Sequence, residues 1–186
     1  MLHNLLRLLS AFVLLALAVA ALTLPRQASA ELAASQRFEP EAVVLLKQIR
    51  HYKRQTWKWQ RVMGESRLRG GNHARVKNVA YRRWARNLWH RRALTTWRRA
   101  KNPPRLAAWM CIHRHEGAWN DPNPPYYGGL QMDLSFQRAY GAHLLRRKGT
   151  ADKWTPLEQM WVAERAYRSG RGFYPWPNTA RSCGLL

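Results

Sequence analysis

The dipeptide Pro103-Pro104, after Asn102, divides this chain in two. Neither proline offers an N–H to a helix and each ring clashes with the turn before it, so a helix arriving at residue 102 must stop. The same fixed φ suits the first turn of a new helix. Upstream of the break the chain is rich in Arg and Trp ("RRWARNLWHRRALTTWRRAK"), and downstream it changes character ("RLAAWMCIHRHEGAWNDPNPPYYGGLQM"). The chain therefore reads as a basic helical region over residues 31–103 and a second module over residues 104–186, behind a leader of residues 1–30.

In the first region, Leu45, Ile49, Tyr52, Thr56, Trp59 and Met63 recur at alternating four- and three-residue steps, the stripe of an amphipathic helix that packs on a partner. The stretch "GESRLRGGN" breaks it. A second helical segment, over about residues 74–100, carries a stripe through Ala80, Trp84, Leu88, Ala93 and Trp97, so the pair predicts an α-hairpin. The whole chain has 32 Lys and Arg against 10 Asp and Glu, a formal charge of +22; residues 31–105 hold 20 of those cations with 4 acids, and residues 106–186 hold 10 with 6. Such an excess exceeds what solubility needs and points to a polyanionic partner. Trp57, Trp59, Trp89 and Trp97 either sit at that boundary or form the hairpin's core.

The leader has Arg7 before an apolar run from Leu8 to Leu24 and then Ala28-Ser29-Ala30, a small-x-small end suited to signal cleavage. Export with cleavage after Ala30 is expected; the alternative is an uncleaved membrane anchor. Both place the remainder outside the cytoplasm, at the cell wall or secreted. There, the two cysteines, Cys111 and Cys183, favour one disulfide over redox catalysis. An exported chain also makes anionic wall polymers or a membrane surface the expected partner of residues 31–105, rather than nucleic acid.

The second module should open with a helix from Pro104 to His115 or Glu116, closed by Gly117. Glu116 then lies at the negative end of the helix dipole, which disfavours its charge, while Arg114 and a protonated His113 or His115 favour it. "YYGGLQM" reads as a short extended segment whose Gly128-Gly129 either lets a ligand approach the backbone or makes a tight turn. Asp133 can cap a short helix over residues 134–140. "TPLEQMWVAERAYRSG" carries Thr155 as N-cap, Pro156 at the first position, Glu158 completing a capping box and Gly170 as a stop. Glu164 falls on that helix's buried stripe, either as an ion-pair partner or as a second functional carboxylate, the first being favoured. No metal site is expected: on a helix Cys111 and His115 share a face, but His113 points about 200° away from Cys111.

Cys111, Glu116-Gly117 with Trp119, "YYGGLQM" from Tyr126, "LEQMWVAER" from Leu157, Trp176-Pro177 and Cys183 come in an order that resembles the transglycosylase-like domain of the bacterial resuscitation-promoting factors, over residues 104–186. The resemblance implies a minimal lysozyme-like fold that binds peptidoglycan glycan in a cleft. It implies Glu116 as the acid that protonates the β-1,4 bond between N-acetylmuramic acid and N-acetylglucosamine. Trp119, Tyr127, Gln131 and Trp176 would line sugar subsites, the Gly128-Gly129 backbone would permit close approach, and Cys111–Cys183 would match the family's disulfide. Attack by the muramyl 6-hydroxyl needs no second acid, whereas attack by water needs a group to position it; Asp121, Asp133 and Glu164 are the nearest in sequence, each with an ordinary structural role. In the family pattern the cysteine directly precedes the glutamate. Here "IHRH" intervenes, so the disulfide must approach from a different direction or the helix must be extended.

The resulting expectation is a mainly α (α+β) chain: a compact lysozyme-like domain with a short β-element, preceded by a basic helical hairpin. It would be a monomeric peptidoglycan lytic transglycosylase or muramidase without cofactor. The alternative is a non-catalytic peptidoglycan-binding wall protein.

Overall fold

Two helices of 23 residues form the basic hairpin: α1, Glu41–Met63, and α2, Val79–Lys101. The computed structural model describes residues 40–186; the leader, and with it the expected export signal, lies outside the described residues. α1 buries Leu45, Ile49, Thr56, Gln60 and Met63, with Tyr52 and Trp59 half-buried beside them, so its stripe runs as the spacing predicts. α2 starts on Asn78, whose side chain accepts from the Tyr81 N–H. It buries Ala85, Trp89, Ala93, Thr96 and Ala100, a different stripe from the expected one, leaving Trp84 53% and Trp97 42% exposed. The physical reason is Trp89, which packs fully buried with Ile49 and Ala85 and donates its indole N–H to Nε2 of buried His73 at 3.0 Å. Trp84 lies about 140° round the helix from Trp89, so burying one exposes the other.

After the Asn102–Arg105 connection come α3, Leu106–Glu116, and a two-stranded antiparallel sheet of β1, Tyr126–Tyr127, and β2, Met132–Asp133. Tyr126 pairs with Asp133 and Tyr127 with Met132. α4 spans Leu134–Lys148, longer than expected, with a break at Gly141 against which the Trp154 ring packs. A 3-10 turn, Ala151–Lys153, leads to α5, Pro156–Ala166, then a π-turn, Tyr167–Arg171, and α6, Pro177–Ser182. The fold class is thus mainly helical with a short β-element, behind a basic hairpin. No helix among the described residues is long and apolar enough to cross a membrane.

α5 organises the rest. Its capping box forms as the sequence predicts, with Thr155 Oγ1 accepting from the Glu158 N–H and Glu158 accepting from the Thr155 N–H. The helix is buried on more than one side, from Gln159 to Glu164 and at Ala166. Met160, Val162, Ala163 and Ala166 join Trp109, Phe136 and Trp176 in the main core, whereas Trp161 packs on Met63 and Ala100 of the hairpin and donates its indole N–H to Ala100 O at 2.8 Å. The hairpin and residues 104–186 therefore share α5, and Leu45–Leu186 cluster as one compact unit. Glu164, fully buried, accepts from the Arg105 N–H at 3.1 Å, from the Arg105 guanidinium at 2.7 Å and from the Trp109 indole at 2.8 Å. Its role is structural: it anchors the start of α3 through Arg105.

Candidate active site

α3 carries Glu116 as its last residue, and Gly117 closes the helix by donating its N–H to His113 O. Beyond it the chain folds back through a loop centred on Asp121. The Asp121 carboxylate accepts from the Asn123 N–H and side-chain amide and from Gln131 Nε2 at 2.8 Å, while its carbonyl accepts from the Gly128 N–H. Gln131 also donates to Gly128 O at 3.0 Å and holds a left-handed backbone, φ 45°. These bonds fix the Gln131 amide beside the end of α3, where a β-carbon on Gly117 would come within 3.4 Å of it.

Glu116 and Gln131 both line a cleft of about 320 Å³, with Tyr126, Trp176, Asn178 and Thr179 among its other walls. It continues past Tyr126 and Trp176 into a second hollow of about 190 Å³ bordered by Asp133, Ser135 and Arg171. Such a groove, with two aromatic side chains and a few fixed polar groups in its wall, suits an extended polar ligand with rings. Thr179 Oγ1 donates to Glu116 Oε1, which holds the carboxylate at the cleft wall. Glu116 is the carboxylate lining the first hollow. Asp133 borders the second but is spent as the N-cap of α4, accepting from the Phe136 N–H and Ser135 Oγ. Those bonds, the Phe136 N–H first, hold its carboxyl below the usual range. Asp121 is likewise committed to its loop.

Of the residues singled out from sequence, Glu116, Gln131 and Trp176 line this cleft together. Trp176 is only 4% exposed: its ring belongs to the core and its indole N–H donates to Leu130 O at 2.6 Å, so one edge of the ring serves the cleft. Tyr127 points inward onto the core, and its neighbour Tyr126, half exposed, is the tyrosine in the cleft wall. Trp119 stacks on His113 with ring centroids 3.9 Å apart. Gly129 lies under that stack, its carbonyl accepting from His113 Nδ1 at 3.2 Å; a β-carbon there would come within 2.6 Å of His113 and 2.7 Å of Trp119. A β-carbon on Gly128 would meet Gln159 at 2.6 Å. The close approach that both glycines permit is to the protein's own side chains. Sequence reasoning missed Tyr126 and Thr179.

Cys111 and Cys183 are joined in a disulfide, Cα to Cα 6.1 Å. The inserted "IHRH" is accommodated by antiparallel pairing of α3 and α6. Cys111 and Glu116 are five residues apart, a rise of about 7.5 Å, and their partners Cys183 and Thr179 are four apart, about 6 Å. α6 thus clasps α3 twice, with the disulfide approaching about one and a half turns before the glutamate. His115 lies within ligand distance of both sulfurs, but with those sulfurs bonded to each other no thiolate is on offer to a metal. No family model matches the chain, and no curated protein matches it.

Proposed function

We propose that this protein is an exported peptidoglycan-cleaving enzyme that breaks the β-1,4 bond between N-acetylmuramic acid and N-acetylglucosamine with Glu116 as its acid. The observation that carries this reading is the position of Glu116 in a groove walled by Tyr126, Gln131 and Trp176, a geometry suited to a sugar chain, in the region that resembles the resuscitation-promoting-factor domain. Glu116 protonates the glycosidic oxygen, and the positively charged sugar that develops as the bond breaks is stabilised by the electron-rich cleft wall. The same carboxylate, now ionised, can accept the proton of the muramyl 6-hydroxyl as that oxygen closes on the anomeric carbon, which yields a 1,6-anhydro end. The commitment of Asp121 and Asp133 to loop and cap supports this single-acid route over one that needs a second carboxylate. Gln131, fixed by Asp121 and the Gly128 carbonyl, serves to hold an N-acetyl or hydroxyl group in register.

The test is mass spectrometry of muropeptides released from purified walls by residues 31–186 and by its Glu116→Gln variant. Anhydro-muramyl ends, absent from the variant, are expected. Reducing ends lost in the variant would make the enzyme a muramidase. No release by either protein, on walls of several chemotypes, would replace the proposal with a non-catalytic wall-binding protein.

A further inference from the structure

A second groove, away from Glu116, lies where the hairpin meets α4 and α5. One part, about 480 Å³, is bordered by Lys58, Trp59 and Lys101 of the hairpin and by Lys148, Pro156 and Leu157 across from them. A second part, about 370 Å³, shares Lys58, Val62, Lys148 and Glu158 with the first and adds Arg61, His143 and Arg147. The two make one channel with a half-buried tryptophan at one end and five Lys or Arg residues along it. Its one carboxylate, Glu158, is already taken: Lys148 Nζ donates to both its oxygens, at 2.6 and 2.8 Å, and the Thr155 N–H donates as well. Lys58 and Lys101 have no carboxylate here and sit instead over the Trp59 ring, 4.8 and 5.9 Å from its centroid.

The surroundings add charge of the same sign. Arg165 reaches out of α5 to Val62 O and Tyr140 O, and its remaining guanidinium nitrogen is buried without an acceptor. His143 in the channel wall is disfavoured as a cation by burial first, then by Arg165, Arg61 and Arg147, with Glu158 opposing. At neutral pH it therefore offers a neutral ring that can hydrogen-bond, and the fixed charge comes from the Lys and Arg heads. Lys148 apart, the cations of this row have no carboxylate partner among the described residues, and an anion from outside would stabilise them. The partly buried Trp59 ring gives the channel an apolar wall beside two ammonium groups, which suits a sugar that carries negative groups. Both heads beside that ring are lysines, point charges that pair with a phosphodiester without demanding a fixed orientation, while Arg61 and Arg147 farther along can hold a phosphate with two bonds.

We infer that this channel binds a phosphodiester-linked glycopolymer, with a sugar against Trp59 and phosphates paired to Lys58 and Lys101. The choice of polymer rests on the wall-located reading given above, whereas the binding itself is independent of cleavage. It would anchor the enzyme through its hairpin while the Glu116 cleft stays open to glycan.

The experiment measures binding of residues 31–186 carrying Glu116→Gln, so that turnover plays no part, to purified glycosylated poly(ribitol phosphate) at low ionic strength. Lys58→Ser with Lys101→Ser should weaken binding about tenfold, and the loss should shrink as salt is added. Arg54→Ser with Arg91→Ser, an equal charge loss at exposed positions outside the channel, should weaken it less than about twofold. Trp59→Leu, which keeps an apolar side chain against the hairpin, should lower affinity for the glycosylated polymer but not for its deglycosylated form. Equal losses from the two charge pairs would overturn the proposal in favour of diffuse attraction. Stronger binding to polygalacturonate, duplex DNA or anionic vesicles than to the phosphodiester polymer would overturn the choice of ligand. Failure here with wall cleavage intact would sink the channel and spare the active site; the reverse result would do the opposite.

Discussion

Glu164 gives the sharpest test of how α3, the helix that carries Glu116, is held. Its Oε1 accepts from the Arg105 N–H and from the Trp109 indole, and its Oε2 accepts from the Arg105 guanidinium. Glu164→Gln keeps the shape but presents one oxygen and one NH2. The oxygen is best used at the Oε1 position, which serves two donors, so the NH2 is turned to Arg105. The Arg105 side chain is 30% exposed and stacks 3.5 Å over Tyr167, so it can move its charge to water without losing that stack. The cost is one charge-assisted hydrogen bond, about 2 kcal/mol. Glu164→Leu also leaves the Trp109 indole N–H in the core without an acceptor and frees the N–H of Arg105, the residue that leads into α3, which brings the cost to about 5 kcal/mol. Urea denaturation followed by tryptophan emission, with unchanged slope, measures both. Replacing a buried ion pair by an apolar group is sometimes neutral; if Glu164→Leu were as stable as the Gln variant, the satisfied indole would not be what makes this carboxylate necessary.

Three further outcomes are expected. Gly129→Ala forces a β-carbon into the His113–Trp119 stack and should destabilise by about 2 kcal/mol, read from thermal melts together with a change in near-UV dichroism from Trp119. Asp133→Ala removes the cap of α4, at about 1 kcal/mol near neutral pH. Because the folded carboxyl is held below its usual range, its contribution is present above the unfolded value of about 4 and fades as pH falls through the lower folded value. Melts of the variant should therefore lose part of the wild type's decline in acid, and an unchanged acid slope would count against the cap. Reducing the Cys111–Cys183 disulfide, or Cys111→Ser with Cys183→Ser, opens a loop of 72 residues and should cost on the order of 4 kcal/mol in the urea midpoint.

How far the sequence disclosed this arrangement depends on how local each signal is. The Thr155–Glu158 capping box and the stripe of α1 are written in adjacent residues and form as read, whereas α3 starts at Leu106, two residues after the expected Pro104, because Pro104 and Arg105 form a turn first. The stripe of α2 is misread because its rotation is set from outside, by His73 accepting from Trp89. A strand of two residues offers no alternation to show that Tyr126 faces out and Tyr127 in. The glycines after them are identifiable as sites of close approach, but only the tertiary structure reveals that His113, Trp119 and Gln159 are what approach. Thr179 meets Glu116 across 63 residues of chain, and no spacing rule reaches that far. The channel at the hairpin is invisible for the same reason, since its walls come from four helices.

The double clasp between α3 and α6 makes the disulfide more than a stabiliser. Cys183 and Thr179 are one turn apart on α6, and the first is bonded to α3 while the second holds the Glu116 carboxylate. α6 has only six residues, too short to persist on its own propensity, so its helical register depends on its attachments: Trp176 in the core at one end and Cys183 at the other. Removing the disulfide frees the second end, and the Thr179 hydroxyl then loses its fixed place opposite Glu116. Under the proposed function, wall cleavage by the reduced chain should fall further than its unfolded fraction accounts for, at temperatures where fluorescence still reports a folded core. Thr179→Val in the oxidised chain should produce the same loss with little change in the urea midpoint. If reduction lowered cleavage only in proportion to unfolding while Thr179→Val left it intact, α6 would be a strap for the core and not the element that positions the acid.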